Sequence, residues 1–254
     1  LKESILSRTN YLDKTIPFLV NTKITEYDMK DAGFSLIKEY KLLDKKTISF
    51  IETLDKKSKN VFIGKLVGND SELAKVFTEC FTEKRIDFIE MNGLDEDNIL
   101  SIKKDALFII GKACHHLKIG NIEFAPKNIY SSYFYINGKE FYLNGNGLTI
   151  KGLSKETLEY QKDYFINDLQ ILMRSMEKET QSRYIAKLRR YRTQYLEKQL
   201  EAETYREMNE ANLFRIKDGL MNHTVGLETI DSLTNIDIGF NYNFYLRPLI
   251  DYSL

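Results

Sequence analysis

The sequence predicts an α+β protein in which a mixed strand-and-helix half precedes a long-helical C-terminal half. Three observations carry that expectation. Asn137-Gly138 and Asn144-Gly145-Asn146-Gly147 punctuate runs rich in Tyr, Phe and Ile, the signature of hairpins, because Asn and Gly tolerate the positive φ of a tight turn. After residue 153 the apolar spacing changes from two residues to between three and four, the helical period. Proline stands only at Pro17, Pro126 and Pro248, which suits long helices.

In chain order, residues 22–28 read as a strand and 31–43 as a helix with Ala32, Leu36, Ile37, Tyr40 and Leu43 facing inward. Residues 47–66 are mostly helical with a break near Asp55, 70–90 form another helix, and 99–110 a hairpin or bent strand. Strands at 129–136, 139–143 and 147–151 make an antiparallel meander, with Tyr130, Phe134 and Ile136 on one face and Tyr133 and Tyr135 on the other. Ser154 is placed to cap the next helix, with Leu153 and Leu158 at the two hydrophobic-staple positions. The segment 154–218 then reads as one very long helix or two with a break near 180. The expected domains are 1–153, with an insertion at about 45–95, and 154–254, ending in an aromatic tail.

Composition narrows the function classes. Of 254 residues, 43% are hydrophobic, enough for a sizeable core, and 37 Lys+Arg balance 37 Asp+Glu. A whole-protein basic field is excluded, so any nucleic-acid surface is local. Residues 181–200 supply one, with Arg183, Lys187, Arg189, Arg190, Arg192 and Lys198 against Glu197 alone, before an acidic stretch at Glu201, Glu203, Glu207 and Glu210. No apolar run reaches membrane-spanning length and the first residues lack a signal-peptide core, so no membrane contact is expected. Cys80 and Cys114 are too few for a disulfide framework, which favours a reducing, cytoplasmic setting.

Two carboxylates stand out. Asp28 closes the strand Ile24-Thr25-Glu26-Tyr27-Asp28 with Glu26 on the same face, and Asp105 directly precedes the apolar run Ala106-Leu107-Phe108. A carboxylate beside a buried strand is costly without a cation, and two on neighbouring strands suit the paired Mg²⁺ ions of in-line phosphoryl transfer. Cys114-His115-His116 has no second Cys/His pair nearby and its adjacent imidazoles diverge, which favours ordinary packing over a metal site.

The order of motifs resembles B-family DNA polymerases. Tyr27-Asp28-Met29-Lys30-Asp31-Ala32-Gly33-Phe34-Ser35-Leu36-Ile37 is similar to the first palm motif, a strand ending in a metal-binding Asp, then a turn and helix. Lys56, Asn60 and Gly64 match the fingers motif Lys-x-x-x-Asn-Ser-x-Tyr-Gly, with Val61 and Ile63 in place of Ser and Tyr. Lys103-Lys104-Asp105-Ala106 resembles the Asp-Thr-Asp-Ser hairpin, with Lys103 at its first acid. Asn128-Ile129-Tyr130 and Lys151-Gly152 resemble the strand after that hairpin and the Lys-Gly pair that leads into the thumb.

The resemblance implies a palm-like domain with short fingers and a thumb-like helical region, in a replication or repair protein of a virus, phage or mobile element. Asp28 and Asp105 would hold Mg²⁺ (or Mn²⁺) and form the catalytic centre. Lys56, Asn60 and Gly64 would meet the dNTP, and Phe34 the sugar, since Gly33 stands near the family's screening aromatic. Tyr130, Lys151, Arg189, Arg190 and Arg192 would contact a primed or single DNA strand. The alternative is a palm fold without catalysis, in which the long helix binds DNA, a second copy of the chain or a replication partner. The aromatic tail Phe240-Asn241-Tyr242-Asn243-Phe244-Tyr245 is expected to pack on the domain or on another subunit.

Overall fold

Strand β3 (Ile24–Met29) is buried along most of its length, as a strand flanked by others on both sides must be. It belongs to a six-stranded sheet ordered β1-β4-β5-β3-β7-β6. The partners are β1 (Asn10–Leu12), β4 (Ile99–Lys103), β5 (Ala106–Ile110), β6 (Lys118–Ile119) and β7 (Ile122–Tyr130). The computed structural model describes residues 5–136, 138–152 and 165–200. Helices α1 (Ala32–Tyr40), α2 (Lys45–Glu52), α3 (Lys56–Asn69) and α4 (Ser71–Met91) fill the chain between β3 and β4.

Aspartates set those helix boundaries. Asp44, Asp55 and Asp70 cap α2, α3 and α4, each side chain accepting two backbone N–H bonds of the first turn. The break expected near Asp55 is thus a cap, and the carboxyls of Asp44 and Asp55 are held below their ordinary range chiefly by the adjoining Thr47 and Ser58 hydroxyls. Beneath, Leu36, Phe88, Ile102, Leu107 and Phe124 form one core, in which the Phe88 ring lies 4.3 Å from that of Phe124. Phe34, Ile37, Ile51 and Ile63 form a second core among the helices.

The chain divides into two units. One comprises residues up to Asp13 and Lys23–Ile129; the other comprises Lys14–Thr22 and the chain from Tyr130 onward. The second holds a four-stranded sheet, β10-β9-β8-β2, built from β2 (Phe18–Leu19), β8 (Ser132–Ile136), β9 (Lys139–Asn144) and β10 (Gly147–Lys151). Antiparallel register places Phe18 opposite Phe134 and Phe134 opposite Phe141. The meander therefore forms much as its Asn-Gly turns predict, with a fourth, two-residue strand added from far upstream.

The long-helical, thumb-like C-terminal half is not what the structure contains. Its described helices are α5 (Phe165–Lys178) and α6 (Gln181–Leu196), separated at Glu179 and Thr180, where Thr180 adopts extended backbone. Both share a core with the meander: Leu169, Leu172, Met173, Leu188 and Tyr195 pack with Phe134, Phe141, Leu143 and Ile150. Physically, each helix has one apolar face, and the sheet's apolar face lies close by in sequence to bury it. Among the described residues the second unit is accordingly a sheet that shares its core with two helices, and it begins before the meander rather than after it. The Ser154 cap, the Leu153–Leu158 staple, the acidic stretch from Glu201 and the aromatic tail lie outside the described residues.

Candidate functional site

The site is built where β3 ends beside the β4–β5 hairpin. Asp28 lies opposite Ala106 in the β3–β5 register, and Asp105 immediately precedes Ala106 in the two-residue turn Lys104-Asp105. Lys104 takes a left-handed φ of 52°, which only surrounding bonds make tolerable for a side-chain-bearing residue. Three bonds hold the turn. The Lys104 N–H donates to the Thr9 carbonyl at 2.7 Å, and Met29 N–H donates to the Asp105 carbonyl at 3.0 Å. Arg85 Nη1 donates to the Lys104 carbonyl at 2.9 Å. The two aspartates predicted from sequence, 77 positions apart (105 − 28), are thereby brought to one place.

Their electrostatics follow from that proximity. The Asp105 carboxyl is pushed above its ordinary range by burial and then by the negative charge of Asp28, with Lys127 and Lys104 partly offsetting this. Lys127 Nζ donates to Asp28 Oδ2 at 2.7 Å, and this bond raises the lysine's own pKa. Glu26, on the Asp28 face as the strand period predicts, is buried and accepts a 2.7 Å bond from Asn128 Nδ2.

An open cleft of about 320 Å³ lies over these groups, with Asp28, Asp105, Lys56, Asn60 and Lys127 in its walls. Lys56 and Asn60 stand one turn apart on α3, so a single helix face delivers both. A neighbouring cavity of about 430 Å³ shares Gly33, Asn60 and Asp105 with the cleft and is lined further by Gly64, Phe77, Phe81 and Arg85. A Cβ added at Gly64 would meet nothing within 4 Å.

Other expected site residues are not brought here. Phe34 is buried among Ile37, Ile51 and Ile63, with Lys59 Nζ 4.7 Å above its ring, while Ala32 and Gly33 form the cleft wall. Tyr130 is 1% exposed and its ring lies 4.9 Å from that of Tyr142, so it serves as core. Lys151 pairs opposite Glu140 at the end of β10. Arg189, Arg190 and Arg192 are exposed on α6 in the second unit, where Leu188 and Tyr195 face the core. The Cys114-His115-His116 segment is tied down by backbone bonds to Tyr27 and Asn92 side chains. Among the described residues no cluster of three or more His, Cys, Asp or Glu is arranged to hold a metal ion.

Two residues were missed. Lys127 is signalled only by Ala125-Pro126-Lys127-Asn128, beside the Asn128-Ile129-Tyr130 stretch already singled out. Arg85 is 1% exposed; its Nη2 donates to Thr82 Oγ1 at 3.1 Å, its Nε has no partner, and burial pulls its pKa down to about 10. Its signal is periodic: Phe81, Arg85 and Phe88 follow the helical spacing of an inward face.

These features define an α+β protein with an acidic, lysine-rimmed cleft at the end of an antiparallel sheet. Residues 1–253 match the family of the bacteriophage PBS1 gene 130 protein, and the chain belongs to that family. No curated protein matches it. No helix among the described residues is long and apolar enough to cross a membrane.

Proposed function

We propose that this phage-family protein is a DNA polymerase-like nucleotidyltransferase, adding dNTPs to a DNA 3′-end in the cytoplasm of an infected host. The observation that carries the reading is the meeting of Asp28 and Asp105 at one cleft that also receives Lys56 and Asn60. The donor set suits a hard cation. Burial and the neighbouring charge of Asp28 raise the cost of ionising Asp105, and Mg²⁺ takes few protein ligands, completing its shell with phosphate oxygens and water. Asp28 and Asp105 would hold the ion, which when bound stabilises charge on the reacting phosphate.

The chain's own residues supply positioning. Lys56 reaches toward a triphosphate as a point charge, and Asn60 donates or accepts one helical turn away. Lys127, with a side chain 55% exposed, is free to exchange Asp28 for a phosphate oxygen. The exposed arginines of α6 favour DNA backbone. The test is primer extension with Mg²⁺ by wild-type, Asp28→Asn and Asp105→Asn proteins: both variants lose extension while keeping their fold, and wild-type-like extension in both removes the reading.

A second reading, a non-catalytic DNA- or protein-binding member of the same architecture, is favoured by one observation. The Lys127–Asp28 pair already neutralises the carboxylate that a metal would need. It predicts DNA binding that is indifferent to Mg²⁺ and no thermal stabilisation by any dNTP.

A further inference from the structure

Arg85 has no evident reason to be a cation where it stands. Among the described residues no carboxylate pairs with it, and burial is the sole cause of its lowered pKa. A guanidinium buried without a counter-charge is expensive, and an apolar residue of similar volume usually serves the fold as well or better. The bond to the Lys104 carbonyl uses one donor and the bond to Thr82 another, while Nε is left idle. A buried unsatisfied donor of this kind calls for a partner the chain does not provide. The guanidinium lies in the wall of the 430 Å³ cavity, which has an apolar side of Ile63, Val67, Phe77 and Phe81, with the Phe77 and Phe81 rings 5.1 Å apart and edge to face, and a polar side that includes Asn60, Lys104 and Asp105.

We propose that this cavity is a binding site for a small organic anion, its flat apolar body against Ile63, Phe77 and Phe81 and its anionic head toward Arg85. The volume lies in the range of small-molecule sites, and a few polar groups on an apolar wall are their usual make-up. Inorganic anions fit poorly because they leave the aromatic walls uncovered. The cavity shares Asn60 and Asp105 with the cleft of the proposed nucleotide site, but neither Lys56 nor Lys127 lines it, so a probe that carries no phosphate tests it separately from nucleotide transfer.

The probe is 1-anilinonaphthalene-8-sulfonate, titrated by fluorescence into the full chain against its neutral counterpart N-phenyl-1-naphthylamine. The sulfonate saturates one site per chain and binds roughly tenfold or more tightly than the neutral compound. Arg85→Met removes that preference. Gly64→Leu, which extends into open space from a helix position, weakens both probes by roughly tenfold or more. Equal affinity for the two probes, the absence of a saturable site, or wild-type sulfonate binding by Gly64→Leu would each overturn the proposal. Should Arg85→Met fail to fold by circular dichroism, the two-probe comparison and Gly64→Leu decide alone.

Discussion

The two units differ in how their described charged groups are served. In the second, they are consumed by structure: Ser131 and Ser132 hydroxyls both donate to Glu177 Oε1, at 2.6 and 2.5 Å. Arg174 donates to the Asn144 carbonyl at 2.8 Å, and Tyr191 donates its hydroxyl to Asp168. In the first unit, charged groups are left short: Arg85 Nε and Asp31 Oδ1 have no partner, and Asp105 sits beside a like charge. Among the described residues the buried charged atoms left without a partner fall in the first unit, and that is where ligands are expected.

The contrast can be broken most severely at the carboxylates. Asp28→Asn and Asp105→Asn should each lower Mg²⁺-dependent primer extension by roughly 10²–10³-fold, the scale of losing one transition-state stabilising group, measured by single-turnover kinetics. The second unit should answer in stability instead. Leu188→Ala, at a position 1% exposed, should cost about 2–5 kcal/mol in urea titration without changing the Mg²⁺ dependence of any surviving activity. Glu177→Ala, which removes the acceptor shared by the Ser131 and Ser132 hydroxyls, should cost about 1–3 kcal/mol by the same assay.

Smaller effects sharpen the difference. Replacing Arg189, Arg190 and Arg192 with Gln should flatten the log–log salt dependence of DNA binding by up to about 3, one unit per lost phosphate contact. A slope equal to wild type places DNA elsewhere. Asp105→Asn should raise the melting temperature at neutral pH. The raised carboxyl keeps its proton longer folded than unfolded, so its stabilising contribution is complete below the unfolded carboxylate range and disappears as pH rises through the folded value. The variant's advantage should therefore vanish in acid; an advantage that persists there contradicts the electrostatic origin.

Sequence pattern anticipated which residues meet at the cleft better than it anticipated the architecture. Asp28, Asp105, Lys56 and Asn60 were legible because strand period, helix spacing and motif order are local properties, and the sheet register then joined them. The helix break near Asp55, the helix over 70–90 and the hairpin at Asn144-Gly145-Asn146-Gly147 were legible for the same reason. Strand β2 was not: two residues beside Pro17 carry no period, and their pairing with β8 spans more than a hundred positions. The helical half was misread because amphipathicity says that a face is buried without saying against what. Phe34 illustrates the same gap, an aromatic next to the cleft in sequence whose ring turns into the helix core. Arg85 and Lys127 act through tertiary neighbours, and their residue types alone suggest surface.

The short stretch Lys14–Thr22 belongs to the second unit although both its flanks belong to the first. No single scission of the polypeptide can therefore separate the two parts intact. A fragment ending at residue 129 keeps β2 but not β8, and one starting at residue 130 has β8 with a bare edge where Phe18 and Leu19 should pair. During synthesis that edge strand leaves the ribosome early and waits for a partner made more than a hundred residues later, so the second sheet is completed only after the whole of the first has been translated.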